Sequence, residues 1–453
     1  MKRKRIDLTK GSILKGLIAL SLPIIGANLL QTGYQLVDAF WVGRLGANAV
    51  AAVSVSFPVN FLLISLSSGF AFAGSILVAQ YAGAKKPEMV NHVAAQTLVM
   101  VTLMSIALSA IAYFLSPYIL NALGVEEVIF DDANFFQRMI FIGLVFNFSF
   151  IMFQSLLRGI GEVKIPLYIN AATLGLNFLL DPLFIYGWGP VPAFGVTGAA
   201  VSTLCTLMLS AMIGYYILFK GTTDINLTLK GFSFDGPLLK KAFKIGAPSS
   251  IEISARALGL VVMTGIAAKF GTEVLAAYGV GSRLISFVVI FGLGLLRASS
   301  TLVGQNMGAQ QVERAELGAK YAAGIGFVAL SVIGILFFVF ARPLVITFMD
   351  AEPHVVQMGV DFLKIVSLSF GFMGAQLALV GTLRGSGNTV ESMILTIIGI
   401  WAIQFPFAWF VSEMERFQEF GVWWSFPVSY VIPCIITFLW FKRGKWKEKR
   451  LVD

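Results

Sequence analysis

The sequence predicts an all-α membrane protein of twelve transmembrane helices arranged as two parallel six-helix lobes. Three observations lead there. First, 57% of the 453 residues are hydrophobic and only 13% are charged, against about 25% charged in soluble domains. Second, apolar segments long enough to cross a bilayer as helix, about 20 residues, recur at roughly 14–42, 50–80, 93–115, 135–157, 164–187, 194–219, 243–268, 277–305, 320–341, 360–382, 390–411 and 420–441. Third, the chain repeats itself. LGANAVAAVSV (45–55) returns as FGTEVLAAYGV (270–280), and AQYAGAKKPEMV (79–90) as GQNMGAQQVERA (304–315), both shifted by 225. LLRGIGE (156–162) returns as TLRGSGN (382–388), and FGVTG (194–198) as FGVWW (420–424), shifted by 226.

Six spans per repeat is an even number, so both halves enter the membrane in the same sense. Parallel repeats of this kind are a transporter architecture, with the substrate path between halves. The expected division is a first lobe at 1–219, a polar linker at 220–242 and a second lobe at 243–453. The apolar stretch after Lys15 runs to about Val42, too long for a signal-peptide core, and reads as a retained first span.

Charge orients the chain. With the N-terminus inside, twenty-four Lys and Arg fall in the tails and loops of the cytoplasmic side and four (Arg44, Lys269, Arg342, Arg416) on the other. Such a bias places both termini in the cytoplasm of a multi-pass cell-membrane protein. Glu126, Glu127, Asp131 and Asp132 in the loop between spans three and four agree with it. The net charge of +9 therefore reflects juxtamembrane runs flanking apolar spans, not a nucleic-acid surface.

Enzyme chemistry finds no parts. There is no Walker loop, GxSxG, HExxH or CxxC motif. Cys205 and Cys434 sit in apolar runs and offer no disulfide framework. His92 and His354 are isolated beside charged loops, so no histidine metal centre and no cofactor are expected. The glycines of LLRGIGE and TLRGSGN read as turn devices.

The informative residues are polar ones inside spans. In NFLLDPLFIY (177–186), Asn177 and Asp181 are four apart and share a helical face. A carboxylate in lipid costs roughly 2.5–3.5 kcal/mol on insertion scales, and the repeat shows that the fold does not require it: Asp181 maps onto Phe407 and Asn177 onto Ile403. Pro182 follows and frees the carbonyl of Phe178, favouring a bend. In span one, Gln31, Tyr34 and Asp38 share a face, and Asp38 maps onto Met263. Thr203 in span six adds a hydroxyl, and Gln154 in span four an amide. A carboxyl group that is neutral when enclosed and ionised when wet can trade a proton for a cation; oxygen ligands of this kind could instead hold sodium. The second half carries its own intramembrane charges, Glu252, Arg256, Arg283 and Arg297. Glu252 and Arg256 have the i, i+4 order of a helical ion pair. Arg283 and Arg297, fourteen apart, share a face, either pairing or snorkelling or forming a positive wall for an anionic head group.

With LDPLFIY in span five, LLRGIGE before it, FGVTGAA after it and Pro23 in span one, the chain resembles the multidrug and toxic compound extrusion (MATE) family over essentially its whole length. The resemblance implies two six-helix lobes forming a V that export small amphipathic, often cationic, compounds on proton or sodium entry; a monomer is the expected state. It implies a first-lobe cation site of Asp38, Asn177, Asp181 and Thr203, with Gln31, Tyr34 and Gln154 lining the cavity; those four would be metal ligands only under sodium coupling. The sodium-dependent branch carries acids in spans seven and ten. Span ten here has none, and Glu252 stands only four residues after Pro248, with Arg256 a turn later, so the likeness is to the branch with first-lobe acids, which favours protons. The rival expectation is a flippase for a lipid-linked saccharide or peptidoglycan precursor, for which Arg256, Arg283 and Arg297 speak.

Overall fold

In a bilayer every backbone N–H and C=O must be satisfied within the chain, and a helix does so segment by segment. The computed structural model describes residues 7–228, 230–349 and 351–452; the basic run at residues 2–5 lies outside them. The described chain is helical, its β-structure limited to an isolated bridge between Trp188 and Val191. The helices are α1 Ile13–Gly43, α2 Ala47–Gly83, α3 Pro87–Ala122, α4 Glu127–Gly159, α5 Lys164–Tyr186, α6 Val196–Lys220, α7 Gly236–Ala268, α8 Thr272–Gly308, α9 Val312–Val339, α10 Ala341–Phe348, α11 Pro353–Ser367, α12 Phe370–Gly385, α13 Thr389–Ile397, α14 Phe405–Ser412 and α15 Glu419–Lys442. A π-helical turn, Ile398–Gln404, joins α13 to α14. Among the described residues eleven helices are long and apolar enough to span, and α11 with α12, bent by 50°, makes a twelfth. Large apolar side chains such as Phe114, Leu179, Val261 and Phe410 are more than 60% exposed, as lipid-facing residues of a membrane protein are.

The repeat is visible helix by helix. α2 and α8 are both 37 residues long and begin and end 225 apart. The turns after them place Lys85 (φ 56°) and Gln310 (φ 59°) in the left-handed region, again 225 apart. Gly161 (φ 83°) and Gly387 (φ 91°) do the same for the two RGxG turns, where a side chain would strain the backbone. The halves then diverge. The twin of α3 is broken into α9 and α10 just before Pro343, although Pro117 stands at the matching place inside an unbroken α3. The twin of α4 is broken into α11 and α12. The twin of α5 carries the π turn just before Pro406, a usual place for one.

Several boundaries differ from the sequence expectation. α4 begins at Glu127, so Asp131 and Asp132 lie in its first turns, where carboxylates suit the helix dipole, and not in a loop. α7 begins at Gly236, so the polar linker is shorter than 220–242. Arg158 and Arg384, counted above as loop cations, end α4 and α12 and are buried.

Chain contacts divide the described residues into two units. One holds Gly26–Ser250; the other holds residues 7–25 with 251–452. The division thus cuts α1 and α7 rather than falling in the linker. In the first unit α4 is central, packed by α2, α3 and α6, with α5 on α6. In the second, α12 takes that place among α8, α9 and α15.

The linker belongs to the first unit and is tied to α3. Ile225 and Leu227 are buried. Asn226 N–H donates to Asn91 Oδ1 at 2.8 Å, and Asp235 N–H to Gln96 Oε1 at 3.2 Å. Asp235 caps α7, accepting Leu238 N–H at 3.0 Å while its other oxygen meets His92 Nε2 at 2.9 Å. The Leu238 N–H, and then His92, hold the Asp235 carboxyl below the usual carboxylate range. A lowered carboxyl value means the stabilisation is complete above the ordinary aspartate value, near pH 4, and is lost as pH falls through the lowered one. The protection of amides in residues 221–235, taken relative to their intrinsic exchange rates at each pH, is therefore expected to fall below about pH 4. Asp235→Ala should already show that loss of protection at neutral pH, since losing an N-cap costs about 1 kcal/mol.

Candidate functional site

α5 and α6 meet through a close backbone approach. A Cβ on Gly198 would stand 2.3 Å from the carbonyl oxygen of Phe184, so glycine is required for α6 to lie this near α5. Ser202 follows one turn later on α6 and Asp181 lies one turn earlier on α5, which sets them against each other. Gly198→Ala is expected to cost about 1–3 kcal/mol by forcing the helices apart. A lowered melting temperature together with weakened efflux would register both effects.

The site is built where α5, α6 and α1 converge. Asp181 and Asn177 are fully buried. Asn177 Nδ2 donates to Asp181 Oδ1 at 3.1 Å and to Ser202 Oγ at 3.3 Å, and the Ser202 hydroxyl donates to the same Asp181 oxygen. Asp38, half-buried on α1, accepts from Thr203 Oγ1 at 3.4 Å and interacts directly with Asp181 and Asn177. Three oxygens remain uncommitted: Asp38 Oδ1, Asp181 Oδ2 and Asn177 Oδ1 are shielded from solvent and accept no hydrogen bond. Two adjacent carboxylates at low dielectric repel strongly. One proton, or one monovalent cation, placed between them relieves that repulsion and fills the open acceptors.

Tyr34 joins the cluster through α6. Its hydroxyl pairs with that of Thr206. Thr206 Oγ1 also lies within hydrogen-bond reach of the carbonyls of Ser202 and Thr203, at 3.1 and 2.9 Å, which ties the pair to α6. Gln31 is exposed on α1, and Gln154 is half-buried on α4; neither hydrogen-bonds to the acids. Ser202 and Thr206 are the site residues that the sequence reading missed.

The charges of the second unit form a different kind of cluster. Glu252 is fully buried, and both its oxygens are saturated. Oε1 accepts from Thr396 Oγ1 at 2.8 Å and from Arg256 Nη2 at 3.4 Å. Oε2 accepts from Ser392 Oγ at 2.6 Å and from Arg384 Nη2 at 2.9 Å. The expected pair with Arg256 is present, but the tighter partner is Arg384, which the sequence reading left in a turn. Arg297 lies close enough to Arg384 to feel its charge. Arg283 does not belong with these buried charges: it is exposed on α8, about 21 Å along the helix from Arg297 at 1.5 Å per residue.

Two matches to MatE cover residues 23–183 and 248–410, one in each repeat and together most of the chain. The chain belongs to the MatE family. Its MatE relatives include "Probable multidrug resistance protein YoeA" of Bacillus subtilis, 28% identical over 450 residues, covering 98% of this chain and 96% of that one. "Probable multidrug resistance protein NorM" of Thermotoga maritima is 28% identical over 448 residues, covering 97% and 94%. Among solved structures, a crystal structure of MATE in complex with MaL6 superposes at a TM-score of 0.92 with 25% identity, covering 98% of this chain and 99% of the other. The protein is thus a multi-pass membrane protein of a transporter family, with the all-helical architecture read from its spans. Both MatE matches take in a polar cluster; the first sets two acids, Asp38 and Asp181, against each other with an open oxygen on each, whereas Glu252 in the second has both oxygens engaged.

Proposed function

We propose that the protein is a cation-coupled antiporter, driven by protons, that exports amphipathic, often cationic, compounds across the cell membrane by alternating access. One observation carries this reading: Asp38 and Asp181, brought from α1 and α5 into direct contact, each keep one shielded oxygen without a donor. Such a pair takes up a proton when enclosed and releases it when wetted. Asp38, Asn177, Asp181 and Thr203 are the coupling residues, with Ser202 holding Asp181 in place. Tyr34 fixes α1 against α6; Gln31, exposed on the same helix, and Gln154 are assigned to the substrate path. In this reading the chain works as a monomer with both termini cytoplasmic. The multidrug resistance names of the relatives support a drug-like substrate class. Sodium remains the competing coupling ion, since Asp38, Asn177, Asp181 and Thr203 offer oxygen ligands only.

Everted vesicles separate the cases. Ethidium transport driven by a pH gradient without sodium supports the proposal. Transport only with a sodium gradient would reassign the same oxygens as sodium ligands. No transport under either gradient would overturn the exporter reading.

A further inference from the structure

A cavity of about 260 Å³ lies in the second unit, between the chain segment that precedes α1 and the turn joining α8 to α9. It takes no part in the acid cluster. Its volume is roughly nine times the 30 Å³ share of a liquid water molecule, enough for a phosphate group and its ester arms. Its lining takes in Lys10, Lys15 and Arg314 together with the apolar Ile13, Ala19 and Leu302.

The segment is built to hold its cations in place. Leu8 is buried as an anchor, and its carbonyl accepts from Asn306 Nδ2 at 3.2 Å and from Arg314 Nε at 3.2 Å. Arg314 Nη2 also donates to Gly11 O at 2.9 Å. The guanidinium is thereby fixed by neutral carbonyls, and its charge is not cancelled by a carboxylate there. Lys10 and Lys15 are exposed, and neither forms an ion pair among the described residues. Asp7 lines the same cavity, but its Oδ1 is turned to its own loop by Thr9 N–H at 3.0 Å and Thr9 Oγ1 at 2.6 Å. The next acid along α9 with a defined partner, Glu316, is engaged by Lys320 and Lys447. The cavity therefore carries an excess of two positive charges, on the face that the charge bias assigns to the cytoplasm.

We propose that this cavity binds the phosphate of an anionic membrane lipid, and that Lys10, Lys15 and Arg314 form its headgroup site. The apolar residues in the lining decide for a lipid over a free phosphate ion. Beside them, Leu14 and Ile18 are each 42% exposed on α1, giving acyl chains a surface to follow. Basic pockets between transmembrane helices at the cytoplasmic face suit such head groups. Because the pocket grips the start of α1, the helix that carries Asp38, lipid occupancy would stabilise the anchorage of that helix.

The test is thermal melting of the full-length protein in detergent, with added phosphatidylglycerol, phosphatidylcholine or inorganic phosphate. Phosphatidylglycerol should raise the melting temperature, and phosphatidylcholine and phosphate should not. The double variant Lys10→Ala/Lys15→Ala, which removes exposed side chains only, should melt like wild type without lipid and lose at least half of the phosphatidylglycerol shift. The charge-matched Lys240→Ala/Lys244→Ala on α7 should keep it. Equal losses in the two doubles, an equal shift with phosphatidylcholine, or a shift produced by inorganic phosphate alone would overturn the lipid site. None of these readings depends on transport, so they stand apart from the antiporter test.

Discussion

Asp181→Asn is expected to reduce pH-gradient-driven dye efflux to the level of vesicles lacking the protein, without lowering the melting temperature. The amide keeps the shape of the carboxyl group. Its oxygen can still accept from Asn177 and Ser202, the two donors that Asp181 Oδ1 has now, and its NH₂ can donate toward Asp38. What it cannot do is release a proton. Asp38→Asn should fail in the same way, by removing the other half of the pair. Efflux at wild-type rates by either variant would break the coupling assignment. A variant that is inactive because it is unfolded would show instead as a lost melting transition.

The second cluster predicts the opposite pattern. Glu252→Gln removes a carboxylate that pairs with Arg256 and Arg384, and Arg384 is 3% exposed. Removing one partner of a buried ion pair costs about 3–5 kcal/mol, so the variant should melt far below wild type and give a poor yield of folded protein. Adding Arg384→Met to Glu252→Gln should recover part of that loss, because the tightest partner of the missing carboxylate goes with it. A coupling energy between neighbours of about 0.5–3 kcal/mol is the expected size of the recovery. The folded fraction of Glu252→Gln should still transport on a pH gradient. Glu252 has no open acceptor with which to carry a proton; its oxygens are filled by two hydroxyls and two guanidinium groups. A stable Glu252→Gln that has lost coupling would transfer the coupling role to the second unit.

The internal repeat made much of this legible from sequence, and it also explains what was missed. Asp181 and Asn177 stood out because their twins, Phe407 and Ile403, are apolar. Ser202 escaped because a serine in a membrane helix commonly bonds back to its own turn, as Ser202 does with Ala199, and so carries little signal alone. The twin comparison would have found it. At a shift of 226, Ser202, Thr206 and Ser210 fall on Val428, Ile432 and Ile436, a polar stripe set against an apolar one. Thr203, which was chosen, falls on Ser429 and is the less distinctive position. The same comparison is blind to Arg384, since its twin is Arg158. Their surroundings differ instead: Arg158 lies over the ring of Phe72, and the twin of Phe72 is Arg297. Glu252, with Ala27 as its twin, is the counter-charge that the second half needs for these added cations. Spans nine and ten were read as single helices because hydropathy averages over a window; the break before Pro343 and the bend between α11 and α12 are local backbone events.

The central claim is that the Asp38–Asp181 pair exchanges its proton for substrate. It is tested most directly by proton release from the purified protein in weakly buffered, sodium-free detergent solution as ethidium is added, followed with a pH indicator. The account predicts release in proportion to dye bound by wild type and none by Asp38→Asn or Asp181→Asn. Dye binding by wild type with no release, or release undiminished in both variants, would contradict it.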